Sequence, residues 1–303
     1  MAESICSARR SSSYHIIRAL LKDPTCRPIY ALSRTPDSNL RDGVSYHAGN
    51  ITNATALHAL LQEIKPQVIF LTASSKSSDF TVKGQDYLDI HVASTKNLLA
   101  AGRMASSVKA LVFSSSVMVF AGEEHIDLNE TLTLWEPHSK GTPYDLSKAA
   151  TEKLVHEANC EDLRTVTNRP RLMCGEQDTS FVPGLIGVRP NVQLGDKTNF
   201  IDTVSVGDIT PLKNVTVTPV WLALALASTA QWAFFILTLG QKKPKTLNKL
   251  VVSRRVRTHT YNIDKARQAL GYNPVPELEN GNKRSVEWKK LKREEKKTDL
   301  KTN

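Results

Sequence analysis

Apolar residues along the first half of the chain recur at two different spacings. The helical spacing of three and four residues predicts helices at Tyr14 to Lys22, Ala56 to Ile64, Tyr87 to Ala101 and Tyr144 to Ala158. Short apolar runs between them predict strands at Ile29 to Leu32, Val68 to Leu71, Ala110 to Ser114 and Arg164 to Thr167. Strands that alternate with helices are typical of βαβ units, so this order predicts an α/β fold with a doubly wound parallel sheet.

A different pattern occupies Val220 to Leu239, where 20 consecutive residues carry no charge. That length is enough for a helix to cross the hydrocarbon core of a bilayer, although a buried core helix has the same pattern. Aromatic and basic residues of the kind that anchor a segment at a membrane interface lie in and just beyond it: Trp221, Trp232, Lys242, Lys243 and Lys245. We predict a membrane segment at 220–239 that lies in the surface or re-enters it rather than spanning the bilayer, because residues 261–288 are expected to pack back on the first domain.

The composition is typical of a folded protein. With 40% hydrophobic and 23% charged residues among 303, the chain can bury a sizeable core. The net charge of +10 comes largely from the last third, and no zinc spacing, aromatic stacking motif or basic heptad accompanies it. This favours a membrane surface over nucleic acid as the partner. The four cysteines lack CxxC spacing, which argues against a metal site or a disulfide framework, and no signal-peptide run precedes the first charges. We expect the body of the protein in the cytosol.

A tyrosine and a lysine lie four residues apart in the helix predicted from Tyr144. Tyr144 and Lys148 share one helix face, where an ammonium stabilises a phenolate and lowers the tyrosine pKa from about 10. The phenol can then exchange a proton with a substrate hydroxyl. Such a pair alone is more often a solvated helix face. The serine run Ser114 to Ser116, at the end of a predicted strand, makes the combination more specific, because a hydroxyl there can hydrogen-bond a reacting oxygen.

The stretches that contain these residues, and several others, follow one another in the order of a known enzyme group. The chain resembles the extended short-chain dehydrogenases of the 3β-hydroxysteroid dehydrogenase and sterol-4α-carboxylate 3-dehydrogenase group in LVFSSSVMVFAG, GTPYDLSKAATEKLV, TVTNRPRLMCGEQD, IFLTASS, HVASTKNLL, DTVSVGD and YNIDKARQALGYNPVPELENGNKRSVEW. The resemblance implies a truncated Rossmann-like dinucleotide-binding domain at 1–208 and a small substrate lobe at 209–303 with the membrane segment and a basic tail. It also implies hydride transfer between NAD or NADP and the 3-hydroxy or 3-keto group of a steroid, sterol or related polycyclic terpenoid.

The resemblance implies roles for individual side chains. Tyr144 is the general acid and base, Lys148 lowers its pKa and contacts the nicotinamide ribose, and Ser116 orients the substrate oxygen, with Ser115 as the alternative. The residues implied in cofactor binding follow predicted strands or lie on the catalytic helix: Arg34, Asn50, Ile51, Thr72, Ala73, Tyr144, Lys148 and Pro170. Arg34 favours NADP, because an arginine near this position accommodates the ribose 2′-phosphate, although a surface arginine in a loop accounts for it equally well.

The chain departs from the group at its start. The group opens with a strand and Gly-x-x-Gly-x-x-Gly, whose missing side chains let the cofactor pyrophosphate approach backbone N–H groups. Ser7, Arg10 and Ser13 stand at the three glycine positions, and residues 1–6 are expected to make a poor strand. Further differences fall where the group commonly has a histidine, a proton-relay asparagine and a leucine, namely at Leu71, His91 and Asn168. The helix and strands that normally build the substrate lobe are omitted between Asp208 and Val217.

These departures leave two alternatives to a dehydrogenase. One is a degenerate, non-catalytic relative. The other is a cofactor-free isomerase or cyclase that uses the retained Tyr144 and Lys148 on a lipid-like substrate. The resemblance further implies a lipid-like small-molecule substrate and a location at the endoplasmic reticulum membrane with the catalytic domain in the cytosol. By analogy of fold it also implies a homodimer.

Overall fold

The computed structural model describes residues 4–7, 11–36, 40–75, 82–122, 124–171, 173, 192–194, 216–218, 220–239, 259–272, 287–288 and 291. The chain divides into two compact units. Residues 1–121 with 133–171 form the first, and residues 122–132 with 172–303 form the second. The predicted domain boundary after residue 208 lies outside the described residues.

The first unit is built on a six-stranded parallel sheet. Its strands are β1 Ser4–Ser7, β2 Ile29–Ser33, β3 Val44–Ala48, β4 Val68–Leu71, β5 Ala110–Ser114 and β7 Arg164–Asn168, whereas β6 His125–Leu128 belongs to the second unit. The order across the sheet is β3-β2-β1-β4-β5-β7, and every neighbouring pair is parallel. This confirms the predicted α/β fold with a parallel sheet. The order reverses between β1 and β4, which is the switch point where ligands bind in open α/β sheets.

Helices connect these strands. They are α1 Ser11–Leu20, α2 Ala54–Ile64, α3 Gly84–Tyr87, α4 Ser94–Ala105 and α5 Pro143–Glu157. A π-helical turn, Leu88–Ala93, joins α3 to α4, and short 3₁₀ turns occur at Pro24–Cys26 and Val117–Val119. All the helices and strands predicted up to residue 167 are present. Strands β4 and β5 have the predicted bounds, the other elements have shifted ends, and the helix predicted at Tyr87 to Ala101 is interrupted by the π-helical turn. Strand β3 was missed, because its sequence VSYHA has too few apolar residues to give a clear run.

Strand β1 lies at the centre of the sheet although its sequence, SICS, has little strand propensity. It pairs with β2 on one side and with β4 on the other. Partners on both sides supply hydrogen bonds for the backbone, and such context commonly overrides intrinsic preference. The structure therefore corrects the expectation of a poor strand at residues 1–6.

Core residues lie on both faces of the sheet. Along β4, Ile69 and Leu71 belong to the larger core, whereas Phe70 packs against the smaller one, as expected when successive side chains point to opposite faces. The larger core takes in side chains from α2, α4, α5 and β5, among them Leu57, Leu61, Leu98, Leu99, Leu111, Phe113 and Val155. The smaller core contains Ile17 of α1 and Ala31 of β2. Helices on both faces explain why the strands are short apolar runs rather than alternating ones.

In the part of the second unit that the structure describes, the strands form two small parallel pairs, and two helices have defined bounds. Strand β6 pairs with β10 His259–Tyr261, and β8 Val192–Leu194 pairs with β9 Thr216–Thr218. The helices are α6 Val220–Leu237 and α7 Asp264–Leu270. In the part of the chain that the structure describes, no helix is both long and apolar enough to cross a membrane.

Candidate active site

Helix α5 carries the predicted tyrosine and lysine, and its first turn is fixed by its sequence. Thr142 Oγ1 accepts a hydrogen bond from the Asp145 N–H at 3.3 Å, and the Asp145 carboxylate accepts one from the Thr142 N–H at 3.1 Å. This capping box satisfies N–H groups that a helix start leaves without partners, and Pro143 suits the first helical position. Tyr144 and Lys148 therefore stand at defined places in the first two turns.

Lys148 is a buried cation at the end of β5. Its residue surface is 1% exposed, and its Nζ donates a hydrogen bond to the main-chain oxygen of Ser114 at 2.8 Å. The same Nζ lies 4.7 Å from the centre of the Phe113 ring. A buried ammonium is costly unless partners replace water, and a carbonyl oxygen and an aromatic face both do so. The structure thus brings the predicted lysine to the strand that ends in the serine run.

Tyr144 is half-buried one turn before Lys148. Its ring makes edge contacts with the rings of Tyr87 and His91, with centroid separations of 5.8 and 5.7 Å. Tyr87 ends α3 and His91 lies in the π-helical turn, so a second helical segment fixes the position of the phenol. These contacts fix the position of the Tyr144 ring, and a side chain that transfers protons needs a fixed position.

The three serines after β5 have different environments. Ser115 and Ser116 are both buried, and the N–H of Ser115 donates to the Asn168 oxygen of the neighbouring strand at 2.8 Å. Ser116 Oγ accepts a hydrogen bond from the Met118 N–H at 3.2 Å, where it caps the 3₁₀ turn. Among the described residues, the Ser116 hydroxyl proton has no acceptor, so it can be donated to a bound oxygen. The Ser115 hydroxyl is buried with no partner among those residues.

His91 is a buried residue whose two ring nitrogens both reach serine hydroxyls. Nδ1 lies 2.8 Å from Ser147 Oγ, and Nε2 lies 2.9 Å from Ser74 Oγ. Ser147 belongs to α5 and Ser74 follows β4, so His91 connects the helix of Tyr144 to the edge of the sheet. Sequence comparison singled out His91 only as a departure. Its partner Ser147 lies between Tyr144 and Lys148, and this position was the one sign in the sequence that Ser147 belongs to the site.

A buried ion pair supports the same helix from its far side. Glu152 of α5 is fully buried, and its Oε1 accepts hydrogen bonds from both Nε and Nη2 of Arg169, which follows β7. The Arg169 guanidinium also lies 4.7 Å from the centre of the Phe120 ring. Sequence analysis missed this pair. Its only trace in the sequence was a second charged residue, Glu152, four positions after Lys148 on the same face of the helix.

The residues predicted to bind the cofactor follow the strands of the sheet. Arg34 is exposed directly after buried Ser33 at the end of β2, and Asn50 and Ile51 follow β3. The Asn50 side-chain oxygen accepts from the Thr52 N–H at 3.2 Å, and Ile51 packs against the larger core.

The remaining predicted cofactor residues lie towards the middle and far end of the sheet. Thr72 and Ala73 follow β4, and the Pro170 oxygen accepts from the Val117 N–H beyond β7. All the predicted cofactor residues thus follow the carboxyl ends of the parallel strands or lie on α5.

Ser13 shows how the chain manages without the third glycine. Its side chain is buried, and Ser13 Oγ lies 2.9 Å from Thr72 Oγ1. In the glycine pattern the third position serves close packing of the helix on the strand. Here a hydrogen bond joins α1 to the end of β4 instead. The side chain of Ser7 and the whole of Arg10 lie outside the described residues.

These residues fit a dinucleotide. Helix α1 begins four residues after β1 ends, so its N-terminus lies at the carboxyl edge of the sheet beside the switch point, the usual place of a pyrophosphate. A buried cation at Lys148 and polar side chains at the strand ends accompany it. Of the three positions that lack glycine, the one with a described side chain, Ser13, is accommodated by its hydrogen bond to Thr72.

Comparison with known proteins gives a family match. The model of the NAD dependent epimerase/dehydratase family matches residues 13–210. The chain is 26% identical over 292 residues to the decarboxylating sterol-4-alpha-carboxylate 3-dehydrogenase of Schizosaccharomyces pombe, covering 80% of this chain and 83% of that protein. It is 26% identical over 312 residues to isoform 3 of the 3beta-hydroxysteroid-dehydrogenase/decarboxylase of Arabidopsis thaliana, covering 83% of this chain and 53% of that protein. These similarities confirm the resemblance found in the sequence.

Solved structures with the same fold are more distant in sequence. The UDP-glucuronic acid 4-epimerase of Bacillus cereus, in complex with NAD, superposes with a TM-score of 0.62 at 17% identity, covering 96% of this chain and 99% of that one. At that identity the similarity concerns the fold alone.

Proposed function

Because this chain belongs to the NAD-dependent epimerase/dehydratase family, we propose that it is an NAD(P)-dependent oxidoreductase of the short-chain type. The proposed substrate is the 3-hydroxy or 3-keto group of a sterol, steroid or related polycyclic terpenoid. One observation carries the proposal: the Lys148 ammonium is buried and donates a hydrogen bond to the main-chain oxygen of Ser114, the last residue of β5. The names of the relatives in Schizosaccharomyces pombe and Arabidopsis thaliana support the substrate class.

In the oxidative direction, each of the three side chains has a distinct task. The Tyr144 phenolate takes the proton of the substrate hydroxyl, and Lys148 stabilises that phenolate by its charge. The Ser116 hydroxyl donates a hydrogen bond to the same substrate oxygen and holds it near the phenol. In the reductive direction Tyr144 returns the proton to the oxygen.

The cofactor residues bind and orient. The dinucleotide, when bound, accepts or supplies the hydride. Thr72, Ala73 and Pro170 would hold it at the strand ends, with Asn50 and Ile51 towards the adenine and Arg34 near the ribose. Lys148 and Tyr144 would contact the nicotinamide end. A guanidinium at position 34 pairs well with a 2′-phosphate, which makes NADP the preferred form in this proposal.

Fluorescence titration of NADPH and NADH against the purified chain tests the proposal, with a 3β-hydroxysterol turnover assay beside it. We expect dissociation constants on the order of micromolar, and in Tyr144→Phe we expect the dinucleotide still to bind, since the other cofactor residues remain, with turnover lost. Turnover by the unmodified chain that survives in Tyr144→Phe would remove Tyr144 from its role. Failure of either dinucleotide to bind would remove the oxidoreductase proposal.

One observation favours a second function, cofactor-free proton transfer on a lipid-like substrate. Ser13 places a side chain where the glycine pattern has none, and Ser7 and Arg10 do the same in sequence. The triple variant Ser7→Gly, Arg10→Gly and Ser13→Gly separates the two functions. If the triple variant binds NADPH and the unmodified chain does not, the fold is intact but the unmodified chain has lost its cofactor site. Tyr144 and Lys148 would then serve isomerisation or cyclisation, or the chain would be a non-catalytic relative.

The proposal includes a membrane surface as a partner. Helix α6 exposes large apolar side chains to solvent, including Trp221 (70%), Trp232 (66%), Phe235 (56%), Ile236 (67%) and Leu237 (82%). Exposed patches of this kind mark interaction sites, and three lysines follow in sequence, Lys242, Lys243 and Lys245. If α6 lay in an anionic membrane surface, its apolar side chains would be buried among the lipids and the lysine charges would be neutralised by the headgroups. We place the protein at the endoplasmic reticulum membrane with the first unit in the cytosol, as a homodimer.

A further inference from the structure

The two serine hydroxyls that contact the His91 ring also contact main-chain carbonyl oxygens. Ser147 Oγ donates to the Tyr144 main-chain oxygen at 2.9 Å, and Ser74 Oγ donates to the Ser75 main-chain oxygen at 2.9 Å. Each hydroxyl has one proton and can donate it either to its carbonyl or to the imidazole. With both protons on the carbonyls, the two serine oxygens accept from His91, at Nδ1 and at Nε2.

A neutral imidazole has one N–H and can satisfy three of these four contacts, because one serine would have to turn its proton towards the ring. The imidazolium has two N–H groups and satisfies all four. Burial opposes the charge, since His91 is 2% exposed, but two hydroxyl acceptors already oriented by backbone carbonyls offset the loss of water.

We propose that His91 is a positively charged positioning residue that favours the phenolate form of Tyr144. The ring of His91 lies edge to face with the Tyr144 ring, at 5.7 Å between centroids and an interplanar angle of 80°. A positive charge at this separation favours an ionised phenol. Lys148 belongs to α5 itself and has its Nζ on the Ser114 oxygen, whereas His91 lies in the π-helical turn, so the two charges come from different elements.

The groups around His91 fit this role. The ring centroid of His91 lies 5.8 Å from that of Tyr87 in α3 and 5.7 Å from that of Tyr144 in α5. A protonated phenol carries no charge, so only an ionised tyrosine would interact with His91 as an ion. From its own turn, Asp89 is exposed and accepts a hydrogen bond from Gln85. From the loop after β4, the contact to His91 comes from Ser74, whose hydroxyl is not titratable. His91 also lies in a π-helical turn, an irregularity that is frequent at functional sites and costs regular helical bonding.

The inference rests on the proposed role of Tyr144, so the test avoids turnover. The full chain is labelled with ¹⁵N in histidine side chains and ¹³Cζ in tyrosine, and the signals of the two residues are assigned with His91→Asn and Tyr144→Phe. At about pH 7 we expect both His91 nitrogens to carry protons. A His91 spectrum with one unprotonated nitrogen at that pH overturns the proposal, and this spectrum is recorded on the unmodified chain.

The second readout is the ionisation of Tyr144 itself. In His91→Asn we expect the midpoint of the Tyr144 phenol titration to move up by about one pH unit or more. Ser147→Ala, which removes one acceptor and keeps the ring, should move it in the same direction by less. His58→Asn on α2 is the matched control and should leave it in place. An unmoved midpoint in His91→Asn overturns the proposal, and because no step needs a dinucleotide, failure of the oxidoreductase proposal would appear separately as absent NADPH binding.

Discussion

The Nζ of Lys148 and the main-chain oxygen of Ser114 lie 2.8 Å apart, and this bond joins helix α5 to the last residue of β5. The acceptor is backbone, so no side-chain change at position 114 removes it, and the contact depends on Lys148 alone. The bond places the cation of the proposed acid-base pair two residues before Ser116. The position of Lys148 is therefore fixed where helix α5 meets the carboxyl end of strand β5.

Lys148→Met should abolish most of the activity. The substitution keeps an unbranched side chain, one atom shorter, and removes both the charge and the bond to the Ser114 oxygen. We expect turnover to fall by about 10²-fold or more, because the phenolate of Tyr144 loses its stabilising cation. Steady-state kinetics on a 3β-hydroxysterol measure this. Lys153→Met, exposed on the same helix, is the control, and equal losses in the two variants would contradict the role of Lys148.

Ser116→Ala and Ser115→Ala should have unequal effects. The Ser116 oxygen already accepts from the Met118 N–H, which leaves its proton for a substrate oxygen. We expect kcat to fall by about 10²-fold in Ser116→Ala and by less than about fivefold in Ser115→Ala. If the larger loss belongs to Ser115→Ala, the buried hydroxyl of Ser115 is the one that meets the substrate.

Arg34→Asp should change the preference for the dinucleotide. The exposed guanidinium after β2 is replaced by a carboxylate that repels a 2′-phosphate and can bind a ribose 2′-OH. We expect NADPH to bind about tenfold more weakly, with NADH binding unchanged or tighter, in the same fluorescence titration. Arg103→Asp on α4 reverses a charge elsewhere on the unit. A loss of NADPH affinity in both variants would mean a general charge effect.

Glu152→Gln should destabilise the first unit. The change leaves the Arg169 guanidinium partly buried without its carboxylate, and removing one member of a buried pair costs about 3 kcal/mol. Urea unfolding followed by circular dichroism gives the difference. Glu157→Gln, exposed on the same helix, should stay within about 0.5 kcal/mol of the unmodified protein. A Glu152→Met, Arg169→Met double variant should regain part of the loss, since it leaves no charge unpaired.

Paired changes on α6 test the membrane surface. We expect the full chain to bind vesicles of phosphatidylcholine and phosphatidylserine, and Trp221→Ser with Trp232→Ser to weaken that binding by about tenfold or more, because each indole exchanges water for the interface. Ala225→Ser with Ala233→Ser, exposed on the same helix, should change it little. Sedimentation with vesicles measures the partition. Equal binding by both double variants would remove α6 as the contact.

The sequence predicted most of the fold of the first unit and the three side chains of the proposed mechanism, because both depend on local patterns. Apolar spacing locates α2 and β5, and Tyr144 to Lys148 is a spacing within one helix. The contacts that hold these residues in place join positions 17 to 59 residues apart, as in Ser13 with Thr72, His91 with Ser147, and Glu152 with Arg169. No periodicity encodes such pairs. Strand β1 shows the same limit, since its neighbours rather than its own residues make it a strand.

The π-helical turn Leu88–Ala93 sets the rotational phase between the two helices that it joins. A π turn takes in one residue more than an α turn, so deleting a single residue from it would let α3 and α4 close into one regular helix. Each residue of an α-helix turns the chain by about 100°, and Tyr87 would then rotate by that angle relative to Leu98 in the core. The turn works as a spacer of one residue that decides which side of α3 faces Tyr144, and a chain of the same composition without it would present another side.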